Sequence, residues 1–86
     1  NLSLPQVGGE ILSISQFTLY ADCKKGNRPS FSLAGERHHA EKMYLYFNEY
    51  MRSLGLKVDE GIFGADMKVR LLNDGPVTII LDSSEW

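Results

Sequence analysis

The sequence predicts a small mixed α/β domain, built from one long helix and about four strands. Three observations predict it. Between Glu36 and Leu54 the apolar residues Ala40, Met43, Phe47, Met51 and Leu54 recur three and four positions apart, which is the pattern of a helix with one apolar stripe. From Glu10 to Tyr20 the chain carries Ile11, Leu12, Ile14, Phe17 and Leu19, too apolar a run for a strand with one wet face. Near the C-terminus two further apolar stretches, Met67 to Leu72 and Val77 to Leu81, flank the turn-forming Asn73-Asp74-Gly75-Pro76. With 86 residues the chain is a single domain. A domain of that size buries only about 60–65% of its unfolded surface.

Taken in order, Gly8-Gly9 marks a turn, and Glu10 to Tyr20 is expected to be a central strand covered on both sides. The polar residues Ser13, Ser15, Gln16 and Thr18 interrupt that run, and buried polar groups need partners. Two readings are open: local bonds to backbone, or a cleft lined at the strand's end. Ala21 to Gly35 is a polar loop with Lys24, Lys25 and Arg28 close together, followed by Pro29 and Phe31. Such a run is ordinarily a solvated loop, and in its sharper reading it follows a line of phosphates. Phe31 is expected to fold back toward the body of the domain.

Glu36 to Leu54 is the expected helix, ended by Gly55, with Glu36 and Glu41 near its start and Arg52 near its end matching the helix dipole. Tyr44, Tyr46 and Tyr50 are expected to flank its buried stripe. His38 and His39 point about 100° apart and cannot share a metal. Leu56-Lys57-Val58 is a short extended piece. Gly61 and Gly64 frame Phe63, an arrangement that lays a ring across a pocket or seats it in the core. Met67 to Leu72 alternates and suits a half-exposed strand, whereas Val77 to Leu81 is uniformly apolar and suits a more central one. Ser83 to Trp86 is a tail.

Composition narrows the function classes. Hydrophobic content of 43% and charged content of 23% are those of a soluble globular domain. No apolar run approaches the roughly 18 residues that cross a bilayer, so no membrane partner is expected. A net charge of −2 argues against nonspecific coating of nucleic acid, without excluding a local basic site. Cys23 is the single cysteine, which precludes an internal disulfide and fits a reducing compartment. No His lies near it in sequence, so a nucleophilic role is not favoured.

The usual catalytic constellations are missing. No paired carboxylates share a helix face, no Cys/His spacing suits zinc, and no Gly-rich phosphate loop joins a strand to a helix. No metal or cofactor is therefore expected. What remains for chemistry is backbone at glycines together with Ser, Thr, Gln and Asn side chains, which orient a polar substrate and stabilise an oxyanion. The nucleophile would then come from water or from the substrate. Gly75 lets a ligand or second chain approach closely, and Pro76 fixes φ, has no N–H and makes a cis peptide accessible. Read alone, the stretch is either an ordinary hairpin turn or a rigid display of carbonyls.

Taken together, these motifs resemble the D-aminoacyl-tRNA deacylase (D-tyrosyl-tRNA deacylase) family. The stretches that carry the likeness are Ser15-Gln16-Phe17-Thr18-Leu19, Lys25-Gly26-Asn27-Arg28-Pro29-Ser30-Phe31, Phe63-Gly64-Ala65-Asp66-Met67 and Asn73-Asp74-Gly75-Pro76-Val77-Thr78, in family order and spacing. The likeness extends from Asn1 to about Asp82.

The resemblance implies a cytoplasmic homodimeric hydrolase that cleaves the ester between a D-amino acid and the 3′-terminal adenosine of tRNA. It implies a β/β/α three-layer arrangement of two packed sheets with helices on one side, of which residues 1–86 would be the C-terminal portion. It also implies a segment of strands and a helix before the position of Asn1, so that this piece taken alone would expose an apolar strand edge. The Gly75-Pro76 peptide would be cis and enter the pocket of the other subunit, its carbonyls holding the α-amino group and excluding an L side chain.

Ser15, Gln16, Phe17 and Thr18 would form the pocket floor and hold the ester carbonyl and the adenosine, with Phe63 and Met67 around the adenine. Asn73 would belong to the substrate-binding set. Thr78, a candidate nucleophile, is better read as orienting or supporting, since no base is placed to activate it. The ribose 2′-hydroxyl, or a water it positions, is the preferred attacking oxygen. Lys24, Lys25 and Arg28 would approach acceptor-stem phosphates, an inference from charge. Two readings stand against the deacylase: a non-catalytic nucleic-acid-binding module that stacks bases on Phe31 and Phe63, and a dimerisation domain in which Gly75-Pro76 is only an interface turn.

Overall fold

The computed structural model describes residues 2–86, and its centre is a short β–α–β unit. Strand β1 (Ile11–Ser13) and strand β2 (Val58–Glu60) pair in parallel, with Ile11 opposite Val58, Leu12 opposite Asp59 and Ser13 opposite Glu60. Parallel strands require a long crossover, and the chain between them supplies one in the form of helix α1 (Arg37–Ser53).

Both ends of α1 are fixed as the sequence predicts. Glu36 is extended, and its carboxylate accepts hydrogen bonds from the N–H groups of His38 and His39, each at 2.9 Å. Those two bonds hold the Glu36 carboxyl below the usual carboxylate range, the His38 bond contributing most. At the other end Gly55 takes φ +88°, and its N–H donates to the Arg52 carbonyl at 3.0 Å.

The face that α1 turns to the strands is polar, not the apolar stripe that the spacing predicts. Tyr44, Asn48 and Arg52 lie one turn apart on that face. The Tyr44 hydroxyl donates to the Ser13 carbonyl at 2.7 Å and accepts from the Gly61 N–H at 3.2 Å, so one side chain ties together the ends of β1 and β2. Asn48 is fully buried and its Nδ2 donates to Glu60 Oε2 at 2.7 Å. Arg52 Nη2 donates to the Val58 carbonyl at 2.8 Å, while Nη1 pairs with Glu49 at 2.5 Å. Val58 is the one buried hydrophobic residue among those described.

The expected stripe is therefore one residue out of phase. Ala40 and Met51 are half-buried, but Met43, Phe47 and Leu54 are exposed, Phe47 to 47%. A shift from Phe47 to Asn48 is a rotation of about 100°. The polar face adds hydrogen bonds at the strand ends, where the Gly61 N–H also donates to the Ser13 carbonyl at 3.3 Å, and a two-stranded sheet offers no apolar layer wide enough for Phe47.

The strand expected over Glu10 to Tyr20 is likewise cut short. After Ser13 the chain leaves the sheet, and Phe17–Tyr20 closes a 3-10 turn with Leu19 exposed. The two C-terminal apolar stretches form no strand among the described residues, and Ile80 is 87% exposed. The class is mixed α/β as predicted, in one helix layer over one two-stranded sheet.

Candidate active site

Because β1 and β2 are parallel and joined at their ends by Tyr44, the segments that follow them emerge side by side. Ile14 to Phe17 leaves β1 and Gly61 to Met67 leaves β2, and the two enclose a cleft with two lobes. The first, about 290 Å³, is lined by Ile14, Met67 and Val69 among others. The second, about 470 Å³, runs under α1 and is lined by Tyr20, Arg37, Ala40 and Tyr44 among others. Ser15, Gln16, Phe17, Phe63 and Gly64 line both and form the shared wall. Volumes in this range accept a small organic ligand.

The wall is held by local contacts. Gln16 Nε2 donates to the Thr18 hydroxyl, orienting the amide at the cleft rim. Of the two readings of the polar set, the cleft holds for Ser15 and Gln16; Gln16 and Thr18 bond to each other through their side chains and not to backbone. Phe17 meets Phe31 edge-on with ring centroids 5.0 Å apart, so the basic loop folds back as expected. Phe63 lies 6.1 Å from the Tyr44 ring. The glycines that frame Phe63 are closely approached by side chains. A Cβ at Gly61 would collide with Met67 Sδ, and one at Gly64, where φ is +74°, would sit 3.0 Å from Arg37 Nη2.

Five of the residues predicted for the site, Ser15, Gln16, Phe17, Phe63 and Met67, meet in this cleft, with Thr18 bonded to its rim. Others do not. Asn73, Gly75, Pro76 and Thr78 are exposed and line neither lobe, and a Cβ at Gly75 would meet nothing within 4 Å. The Gly75–Pro76 peptide is trans, which corrects the cis expectation; among the described residues no cis peptide occurs. With nothing packed on the turn, the intrinsic preference of an X–Pro bond decides the isomer.

Lys24, Lys25 and Arg28 project from a loop closed by reciprocal backbone hydrogen bonds between Asp22 and Ser30, at 2.7 and 2.8 Å. Lys24 borders a shallow hollow beside Cys23 and Leu33, apart from the cleft. Among the described residues no three His, Cys, Asp or Glu side chains gather as a metal site, and no helix is long and apolar enough to cross a membrane.

Sequence reasoning passed over Arg37, Tyr20 and Gly64 as cleft residues and put Tyr44 at the edge of a buried stripe. The Gly64 signal was present in its pairing with Gly61 around Phe63. For Arg37, 27 positions before Gly64 in the chain, spacing holds no signal, because only the crossover brings the two together.

Comparison with known proteins agrees with the motifs on which this cleft is built. The sequence profile of D-Tyr-tRNA(Tyr) deacylase matches residues 1–82. The chain belongs to that family. Among curated proteins it is similar to the D-aminoacyl-tRNA deacylase of Bifidobacterium animalis subsp. lactis, at 64% identity over 85 residues, covering 99% of this chain and 54% of the relative. Similarity to the D-aminoacyl-tRNA deacylase of Bifidobacterium longum subsp. infantis is 61% over 83 residues, covering 96% and 51%. For the D-aminoacyl-tRNA deacylase of Halothermothrix orenii it is 55% over 85 residues, covering 99% and 57%. The chain thus spans about half the length of the curated family members it matches.

Proposed function

We propose that the two-lobed cleft binds the aminoacylated 3′ end of a tRNA and that the protein hydrolyses the ester when the amino acid is D. The observation that carries this reading is the convergence of Ser15, Gln16 and Phe17 with Phe63 and Met67 on one cleft, in a chain of the deacylase family. In this reading the adenine lies in the first lobe between Phe63 and Met67, where flat apolar walls suit a base. The ester lies along the shared wall, with Ser15 and Gln16 placed to hold its carbonyl.

Hydrolysis breaks the bond between the acyl carbon and the 3′ oxygen. The oxygen of water ends on the acyl carbon, and a proton ends on the 3′ oxygen. Ser15 and Gln16 donate to the oxyanion that forms, a contribution that needs no side-chain nucleophile. The attacking water is positioned by the ribose 2′-hydroxyl. Thr78 supports and does not attack.

Stereoselection is assigned to the Gly75–Pro76 backbone of a second copy, entering the cleft as a homodimer forms. The turn's exposure supports this, since a Cβ at Gly75 would meet nothing of its own chain within 4 Å. The C-terminal stretches would complete the second sheet of a three-layer body in that assembly. Lys24, Lys25 and Arg28 would meet acceptor-stem phosphates. In this reading the cytoplasm is the expected compartment.

The test is release of amino acid from D- and L-aminoacyl-tRNA by the native assembly. Turnover of the D-ester with the L-ester spared is expected. Equal cleavage of both would overturn the stereoselection, and binding without turnover would make this a nucleic-acid-binding module.

A further inference from the structure

We infer that Arg37 is a phosphate-binding residue of this cleft, recognising the phosphodiester that precedes the terminal nucleotide of the substrate. The inference rests on the nucleic-acid reading of the cleft and assigns a residue and a charge to its second lobe. Arg37 is the one charged side chain lining that lobe; the rest of the lining is neutral and largely aromatic or small. The ion pairs of the described residues are Arg52–Glu49, Arg52–Glu60 and Lys57–Glu10, so the Arg37 guanidinium has no acidic partner.

Its position is defined from one side. Nη2 lies 3.0 Å from where a Cβ at Gly64 would be, so the guanidinium rests close against the loop that carries Phe63. Arg37 also opens α1, but the end of that helix is already in use, because the Glu36 carboxylate takes the N–H groups of His38 and His39. An incoming anion therefore meets the guanidinium and not the helix terminus. A guanidinium fork matches two phosphate oxygens, and Arg37, exposed at the edge of the lobe, is open to an incoming anion. With the base against Phe63 in the first lobe, the phosphate on the 5′ side of that nucleotide is the anion positioned to enter the second.

Binding of an uncharged-ended CCA trinucleotide to the native assembly tests this without any need for turnover. One probe carries the natural last linkage, and a second carries a neutral methylphosphonate there. Arg37→Gln is expected to weaken binding of the natural trinucleotide about 10-fold and to lower the slope of log affinity against log salt by about one unit. The methylphosphonate should bind wild type about as weakly as Arg37→Gln binds the natural probe, with no further loss when both changes are combined. Arg37→Lys should recover part of the affinity and little of the discrimination. Unchanged affinity in Arg37→Gln, additive losses for the combined changes, or no binding of CCA by wild type would each overturn the assignment. Wild-type binding with the expected cycle but no ester cleavage would uphold Arg37 and sink the deacylase reading instead.

Discussion

Two regions of this chain, a long central one and a short, uniformly apolar one near the C-terminus, meet opposite fates. From Ile11 to Met67 the chain is tied by directed bonds, with Tyr44, Asn48 and Arg52 each reaching a strand end from one face of α1. From Val77 to Leu81 it is at least as apolar, yet every residue is exposed and none is paired in a strand. Apolar content alone therefore does not locate the packed part. The hydrophobic effect is non-directional, and in a domain with so little interior the polar side chains that can reach backbone ends determine which segments are fixed. The cleft opens where those ties end, at Ile14 and Gly61.

The comparison breaks most readily at Asn48. Its amide is fully buried, with Nδ2 on Glu60 and Oδ1 left without a partner. Asn48→Asp keeps the shape and sets a second carboxylate against Glu60, while Arg52 is already shared between Glu49 and Glu60. The expected loss is on the order of 3 kcal/mol, large for a domain of this size. A urea midpoint that moved little would show that the polar face does not hold the helix.

Tyr44→Phe is the milder cut. It keeps the ring beside Phe63 and removes the hydroxyl that bridges Ser13 and Gly61. A loss of about 1–2 kcal/mol is expected. Amide exchange should quicken at Gly61 before it does within β2. Faster exchange throughout α1 with none at Gly61 would mean that the tie lies elsewhere.

How much of this was legible follows from the same contrast. The helix was readable to within a residue at each end, because Glu36 and Gly55 are local signals. The cleft residues were readable through the family resemblance, whose motifs Ser15 to Phe17 and Phe63 to Met67 are each contiguous in sequence. The buried face of α1 was misread. Periodicity counts apolar side chains, whereas Tyr44 and Asn48 are turned inward by partners 31 and 12 positions away that no spacing rule sees. The strands at Met67–Leu72 and Val77–Leu81 were expected from alternation and from apolar content, but a strand is defined by its neighbour, and neither stretch has one among the described residues.

The smallest effect is expected where the sequence is most apolar. Val77→Ser combined with Ile79→Ser removes two exposed side chains that cover nothing, so in dilute solution stability should move by no more than about 0.5 kcal/mol. A larger loss in the dilute chain would show that Val77 to Leu81 is packed against its own domain, and the contrast between the two regions would fall. The same pair of changes also probes the assembly. If a second copy covers this stretch, wild-type stability rises with protein concentration by mass action and the variant's rises less. The two curves should then meet at low concentration and separate at high. Parallel curves would leave the stretch uncovered in the assembly too, and would remove the support its exposure gives to a donated Gly75–Pro76 turn.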